Sequence, residues 1–171
     1  KCNEDNIKMQ SDLTALEKWS DQNNMKMNEE KFVLLCYNKK PLINNNLMLQ
    51  SGLIIPEKEG TRDLGIWMEN SAKFTVHIAN LSASCRKIMS MIFRSFTTRD
   101  DQEVMMTLYK SLILSKIDYC SILWNPTNIA ELRKIEGIQA TFTHRLECAI
   151  KENGQRRLKY LRMYSIERRF E

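Results

Sequence analysis

"SAKFTVHIANLSASCRKIMSMIFRSF", residues Ser71 to Phe96, decides how this chain is read. Phe74, Ile78, Leu81, Cys85, Ile88 and Ile92 recur every three or four residues. With 3.6 residues to a turn, that spacing predicts one apolar stripe on a helix over about Ser71 to Phe96. Lys73, Lys87 and Arg94 fall off the stripe. Before this stretch the apolar runs are short and bounded by turn residues. After it the helical period continues. The border falls near Glu69-Asn70.

Upstream, Asn3 to Asn23 predicts a helix with Ile7, Leu13, Leu16 and Trp19 on its apolar side, stopped by Asn23-Asn24. "KFVLLCY" (Lys31 to Tyr37) predicts a strand. "NLMLQSGLIIP" (Asn46 to Pro56) predicts a hairpin turning at Ser51-Gly52, where glycine supplies a backbone angle other residues avoid. "TRDLGIWM" (Thr61 to Met68) predicts another short strand. Downstream, Thr98 is the expected cap of a helix with Asp100-Asp101 in its first turn. That helix reaches about Tyr119 and is apolar nearly all round (Val104, Met105, Leu108, Leu112, Ile113, Ile117), as in the middle of a bundle. Asn125-Pro126 breaks it. Asn128 caps the next helix, whose stripe is Leu132, Ile135, Gln139, Phe142 and Leu146, with Arg133, Lys134 and Arg145 away from it. Gly154 ends a further segment, and "RRLKYLRMYSIERRFE" (Arg156 to Glu171) begins a last basic helix. The expected fold class is α+β: residues 1–69 form a small antiparallel sheet with one N-terminal helix, and residues 70–171 form a helical bundle.

The hydrophobic fraction of 43% is enough for a real core, yet no apolar run is long enough to span a membrane. Lys1 to Gln10 is polar, unlike a signal peptide, and a first residue other than Met suggests a piece of something longer. The five cysteines lack zinc spacing, which suits reduced, buried thiols in an intracellular protein. His77 and His144 have no nucleophile signature around them, and the glycines form no phosphate loop. Asp100-Asp101 is explained by helix capping rather than metal binding. The chemistry of the side chains alone therefore makes a poor enzyme. The net charge of +5 is uneven: residues 151–171 hold 7 Lys/Arg against 3 Asp/Glu, while residues 1–60 hold 8 against 9. A basic C-terminal half fits a nucleic-acid or acidic partner, or simply a solvated helix face.

Five stretches, in order, carry a resemblance. "MQSDLTALEKWSDQNNMKMNEEKFVLL" (Met9 to Leu35) resembles the segment after the catalytic Asp-Asp turn in reverse transcriptases of non-LTR (LINE-like, jockey-type) retrotransposons: a helix ending in Trp, then Asn, two residues, Lys, and a strand. "RDLGIWM" (Arg62 to Met68) is similar to the Leu-Gly strand of their primer grip. "LYKSLILSKIDYCSILWNP" (Leu108 to Pro126) resembles the thumb helix and its Trp-x-Pro end. "IAELRKIEGIQATFTHRL" (Ile129 to Leu146) and "RLKYLRMYSIERRFE" (Arg157 to Glu171) resemble the two helical stretches that follow. The family often has a bulky apolar residue before the Asn and Cys after the Lys; here these are Met27 and Phe32.

The resemblance implies the end of a palm (1–69) and a thumb (70–171) of an RNA-directed DNA polymerase. Lys31 would be the general acid that protonates departing pyrophosphate, since an ammonium near a developing anion supplies charge and a proton; the alternative is a solvated strand-edge lysine. Leu64, Gly65 and Ile66 would be the primer grip, Gly65 letting backbone approach a nucleic-acid strand; the alternative is a strand glycine at a bulge. The metal-binding aspartates of the family lie upstream of the matched segments, so this chain alone is expected to be inactive. It holds no metal site of its own, and Mg2+ is implied only for the complete polymerase. Partners would be an RNA template and DNA primer as a hybrid, and the palm and fingers of the same polyprotein. The compartment would be nucleus and cytoplasm, in a retrotransposon ribonucleoprotein. The expected phosphate contacts are Lys87, Arg94, Arg99, Arg133, Lys134, Arg145, Arg156 and Arg157; taken singly, each also reads as ordinary surface charge. Trp19, Trp67 and Trp124 read as core or turn packing rather than base-stacking platforms. The rival readings are a domesticated helical module that binds nucleic acid or protein without catalysis, and a reading frame left by a decayed element.

Overall fold

A computed structural model describes residues 2–37, 47–97, 101–126, 128–146 and 153–170. The chain is α+β and divides into two compact units, Lys1–Ala72 and Lys73–Glu171. The sequence placed that border at Glu69-Asn70.

The first unit opens with α1 (Cys2–Gln22). Its inward side is not the predicted one. Ile7, Leu16 and Trp19 are exposed, Trp19 at 52%, while Glu17 and Ser20 are buried and Leu13 is half-buried. The helix docks through hydrogen bonds. The Gln10 side-chain amide pairs with the backbone of Met48 as a strand would: its Nε2 donates to Met48 O at 2.7 Å, and Met48 N donates to its Oε1 at 2.9 Å. Gln50 N donates to Glu17 Oε1 at 3.0 Å. These bonds satisfy backbone groups that the hairpin would otherwise leave unpaired. Beneath them Leu47, Leu49 and Ile55 form a small core, with Leu13, Phe32 and Leu34 against it.

The hairpin forms as its sequence predicts. Met48 and Ile54 bridge antiparallel, Gly52 N donates to Leu49 O at 2.9 Å, and Gly52 takes φ +87°. "KFVLLCY" is only partly a strand. Glu29–Lys31 is one 3-10 turn capped by Asn28, and pairing is confined to β1 (Leu34–Leu35), which runs parallel to β2 (Glu57–Lys58). "TRDLGIWM" is two strands: β3 (Gly60–Asp63) and β4 (Ile66–Glu69) pair antiparallel around Leu64-Gly65. Both turn residues have positive φ, 45° and 90°, the geometry of a two-residue turn whose twist matches its strands. Gly60 fits closely in β3: a Cβ there would lie 3.1 Å from Trp67 Nε1 and 3.2 Å from Met68 O, so a larger residue requires the indole or the strand to shift.

The second unit is helical. α2 (Thr75–Ser95) buries Ile78, Cys85 and Ile92 of the predicted stripe together with Met89 and Phe93, while Leu81 and Ile88 are half-buried. Thr98 lies outside the described residues. The observed cap of α3 (Gln102–Leu108) is Asp101, whose side chain accepts from Val104 N at 3.0 Å. A π-helical turn, Tyr109–Leu114, joins α3 to α4 (Ser115–Asp118). Its wider winding sets Tyr109, Ile113, Leu114 and Ile117 inward, while Val104 and Leu112 reach solvent. Cys120, at φ 50°, turns the chain into α5 (Ser121–Trp124), and Trp124 closes the turn by donating from Nε1 to Tyr119 O at 2.9 Å. Asn128 caps α6 (Ile129–His144), as its sequence predicts. Phe142 stacks on Phe93 at 5.1 Å and tilts against Tyr109 at 4.8 Å, so α2, α6 and the π turn share one core.

The last basic helix of the sequence is two pieces. α7 (Gly154–Tyr160) is capped by Asn153, and α8 (Ile166–Phe170) follows a turn in which Arg162 takes φ 52°. Met163 N donates to Leu158 O and Arg162 N to Lys159 O, the pairing of a Schellman C-cap. α6 receives these pieces with polar groups. Tyr109 Oη donates to Gln139 Oε1 at 3.0 Å, and Gln139 Nε2 donates to Tyr164 O at 2.9 Å. Ile166 N donates to Glu136 Oε2 at 2.8 Å, and Trp124 meets Phe170 edge-on at 5.5 Å. No helix among the described residues is long and apolar enough to cross a membrane.

Candidate nucleic-acid interface

In the second unit the cations stand where the packing leaves them. The inward side of α2 runs through Ile78, Cys85, Met89 and Ile92, and Lys87 and Arg94 lie on the opposite side, two turns apart. That separation is about 10 Å at 1.5 Å per residue. On α6, Lys134 and Arg145 are eleven residues apart, which returns to nearly the same angle about 16 Å along the axis. Arg133 lies on the face opposite Ile135 and Phe142. All five are exposed. Among the described residues no ion pair or hydrogen bond engages the Lys87, Arg133 or Lys134 side chain. The Arg145 guanidinium lies 5.3 Å from the Phe93 ring centroid, which brings it to the end of α2 that carries Arg94. Arg94 itself donates from Nε to Ser90 O at 3.3 Å.

Arg156 is exposed on α7. Arg157 is not: it is 8% exposed and donates from Nε to Thr143 Oγ1 at 3.1 Å. Its guanidinium anchors α7 on α6 and is withdrawn from the outer face, a correction to the sequence reading. Helix spacing explains it, since Leu161, four residues on, is buried beside it. Arg99 lies outside the described residues.

Lys31 is exposed and ends the 3-10 turn rather than lying on a strand edge. Beside that turn is a cleft of about 250 Å³ lined by Glu17, Asp21, Lys26, Glu29, Phe32 and Gln50 among others, and Lys31 is not in its wall. Leu64 and Gly65 sit at the tip of the β3–β4 hairpin, Leu64 being 83% exposed, while Ile66 is buried. The grip residues are thus a turn rather than one continuous strand, and Ile66 packs inward.

The interior of the second unit is chemically quiet. Burial pushes the Cys85 thiol up to about 11, opposed by Lys116, and burial also raises the Tyr109 hydroxyl. Burial raises the Glu136 carboxyl, against the backbone N–H groups of Ile166 and Glu167 that favour its charged form. Among the described residues no three His, Cys, Asp or Glu side chains converge to hold a metal ion, and none is assigned to the magnesium of a complete polymerase.

Exposed residues that the sequence did not single out cluster in α7, α8 and the turn between them: Lys159, Tyr160, Arg162, Tyr164 and Arg168. The signal was present as aromatics interleaved with cations. Compared with protein-family models, curated proteins and solved structures, the chain gives no match.

Proposed function

We propose that this chain supplies the primer grip and thumb of a reverse transcriptase of the non-LTR retrotransposon type, and holds an RNA–DNA hybrid without performing the chemistry itself. The observation that carries the proposal is the outward placement of Lys87, Arg94, Arg133, Lys134 and Arg145 on two helices that share one core. Cations spaced along rigid helices meet phosphates without reading bases, which suits an enzyme that must slide along any template. A hybrid is recognised by its backbone shape, so no base-reading side chain is required. At the β3–β4 tip, Gly65 carries no side chain of its own, and Arg62 Nε donates to its carbonyl at 3.4 Å, which puts a cation beside that exposed backbone. Lys31 acts as general acid only beside the catalytic aspartates of a complete polymerase.

The test is affinity for RNA–DNA hybrids of several sequences. Replacing Arg133 and Lys134 together by Ala weakens all hybrids alike. Unchanged affinity, or loss for one sequence only, refutes the assignment.

A second reading, a helical module that binds protein or nucleic acid without catalysis, is favoured by one observation. Tyr119, Ile122, Leu123 and Ile129 expose apolar side chains around α5, Ile122 at 99%. On that reading Ile122→Asp abolishes association measured by sedimentation, and the double Ala variant binds hybrids as before.

A further inference from the structure

We propose that the C-terminal turn of the second unit, α7 through α8, binds single-stranded nucleic acid, with Tyr160 and Tyr164 as stacking platforms and Arg156, Lys159, Arg162 and Arg168 as phosphate contacts. The proposal rests on the nucleic-acid reading above and adds a different substrate form, an unpaired strand.

Two tyrosines four residues apart turn outward here, Tyr160 at 49% and Tyr164 at 60% exposure. Tyrosine commonly keeps its ring against apolar neighbours, and two exposed rings in one short segment present π-faces to solvent. Six of the residues from Asn153 to Phe170 are Arg or Lys, against Glu167 alone. Arg157 is taken inward and Arg169 pairs with Asp118, with Nε to Oδ1 at 3.2 Å. The other four are exposed and flank the tyrosines in sequence. On α7, Arg156 and Tyr160 are one helical turn apart and therefore neighbours on one face, with Lys159 beside them.

The backbone at Tyr164 is tethered to α6: its carbonyl accepts from the buried Gln139, and the Arg168 guanidinium lies 4.9 Å from the ring centroid. Arg162 occupies the left-handed position of a Schellman turn, where glycine is the residue of least conformational cost. The chain instead places a cation there, between the two tyrosines.

Charge and rings together specify the ligand. The cations favour phosphate, and exposed rings need bases with free faces. In a duplex those faces are already stacked, so only an unpaired strand engages both.

The test uses the full chain and fluorescence anisotropy, with three probes of about 12 nucleotides: an oligothymidylate, an abasic strand with the same phosphates, and an RNA–DNA hybrid. Tyr160→Ala and Tyr164→Ala each weaken oligothymidylate binding roughly 5- to 150-fold and leave the hybrid within about twofold. Tyr164→Phe, which keeps the ring, retains binding. The unaltered chain binds the abasic strand more weakly than oligothymidylate, an arm that stands even if a variant fails to fold. Equal affinity for the abasic strand overturns the proposal, as does an equal loss of hybrid binding in the alanine variants. If the hybrid binds and oligothymidylate does not, this inference falls while the duplex reading stands; if neither binds, both fall.

Discussion

The Tyr109–Gln139 hydrogen bond couples the π-helical turn to the C-terminal pieces, and a double-mutant cycle measures the coupling. Both side chains are essentially solvent-free, at 0% and 1% exposure, so neither can exchange its partner for bulk water. Tyr109→Phe removes the donor and leaves Gln139 Oε1 buried without one, a loss of about 1–2 kcal/mol. Gln139→Leu strips the acceptor from Tyr109 Oη and the donor from Tyr164 O, so two groups lose partners and the loss is about 2–4 kcal/mol. In the double variant the tyrosine hydroxyl no longer needs an acceptor, and only Tyr164 O remains unpaired. Its loss is about 1–2 kcal/mol, well short of the sum of the single losses. The expected coupling is therefore about 2–4 kcal/mol, against about 0.5 kcal/mol for sites that act independently. Urea unfolding at neutral pH, followed by far-ultraviolet circular dichroism, reads all four chains. Additive losses would refute the view that this bond is a buried, mutually dependent pair.

Three further outcomes follow from the geometry. Burial raises the Glu136 carboxyl above its ordinary 4.5, so the folded chain holds this proton more tightly than the unfolded chain; stability present at low pH is lost as pH rises through the raised value. Glu136→Gln keeps an acceptor for Ile166 N and removes that loss, so its urea midpoint gains on the parent as pH rises above the ordinary 4.5, and a constant difference contradicts the assignment. Cys85, with its thiol pushed up to about 11 inside the bundle, resists alkylation at about pH 8 until the chain unfolds, while exposed Cys120 reacts at once; peptide mass spectrometry separates the two. Leu64→Asn suits the positive φ of the β3–β4 turn and loses little burial, so it stabilises the chain by about 1 kcal/mol in urea unfolding; destabilisation refutes the turn assignment.

What the sequence disclosed depended on whether packing or hydrogen bonding does the work. The α2 stripe and the Asn128 cap were legible because burial follows helical period and a cap follows local chemistry. The hairpin at Gly52 was legible because glycine marks a positive φ. Leu64-Gly65 was not, since a leucine in that conformation is no turn signal and "TRDLGIWM" reads as one short strand. The inner face of α1 was hidden for a different reason. Gln10 and Glu17 bind backbone groups of a hairpin about thirty or more residues away in sequence, which no local period encodes. Arg157 shows the limit for the candidate site. A composition argument counts it among surface cations, while its position one turn before Leu161 puts it inside. Tyr160 and Tyr164 were visible as residues, but their exposure depends on the turn at Arg162, where a single helix was expected.

A duplex gripped through its phosphates is released by salt, so hybrid affinity is measured against salt concentration. If Lys87, Arg94, Arg133, Lys134 and Arg145 each displace a counterion, log K falls against log salt with a slope of roughly −4.5. Affinity then drops about 500-fold between 50 and 200 mM salt, equally for unrelated sequences. A flat response, or no binding at low salt, contradicts a grip through phosphates.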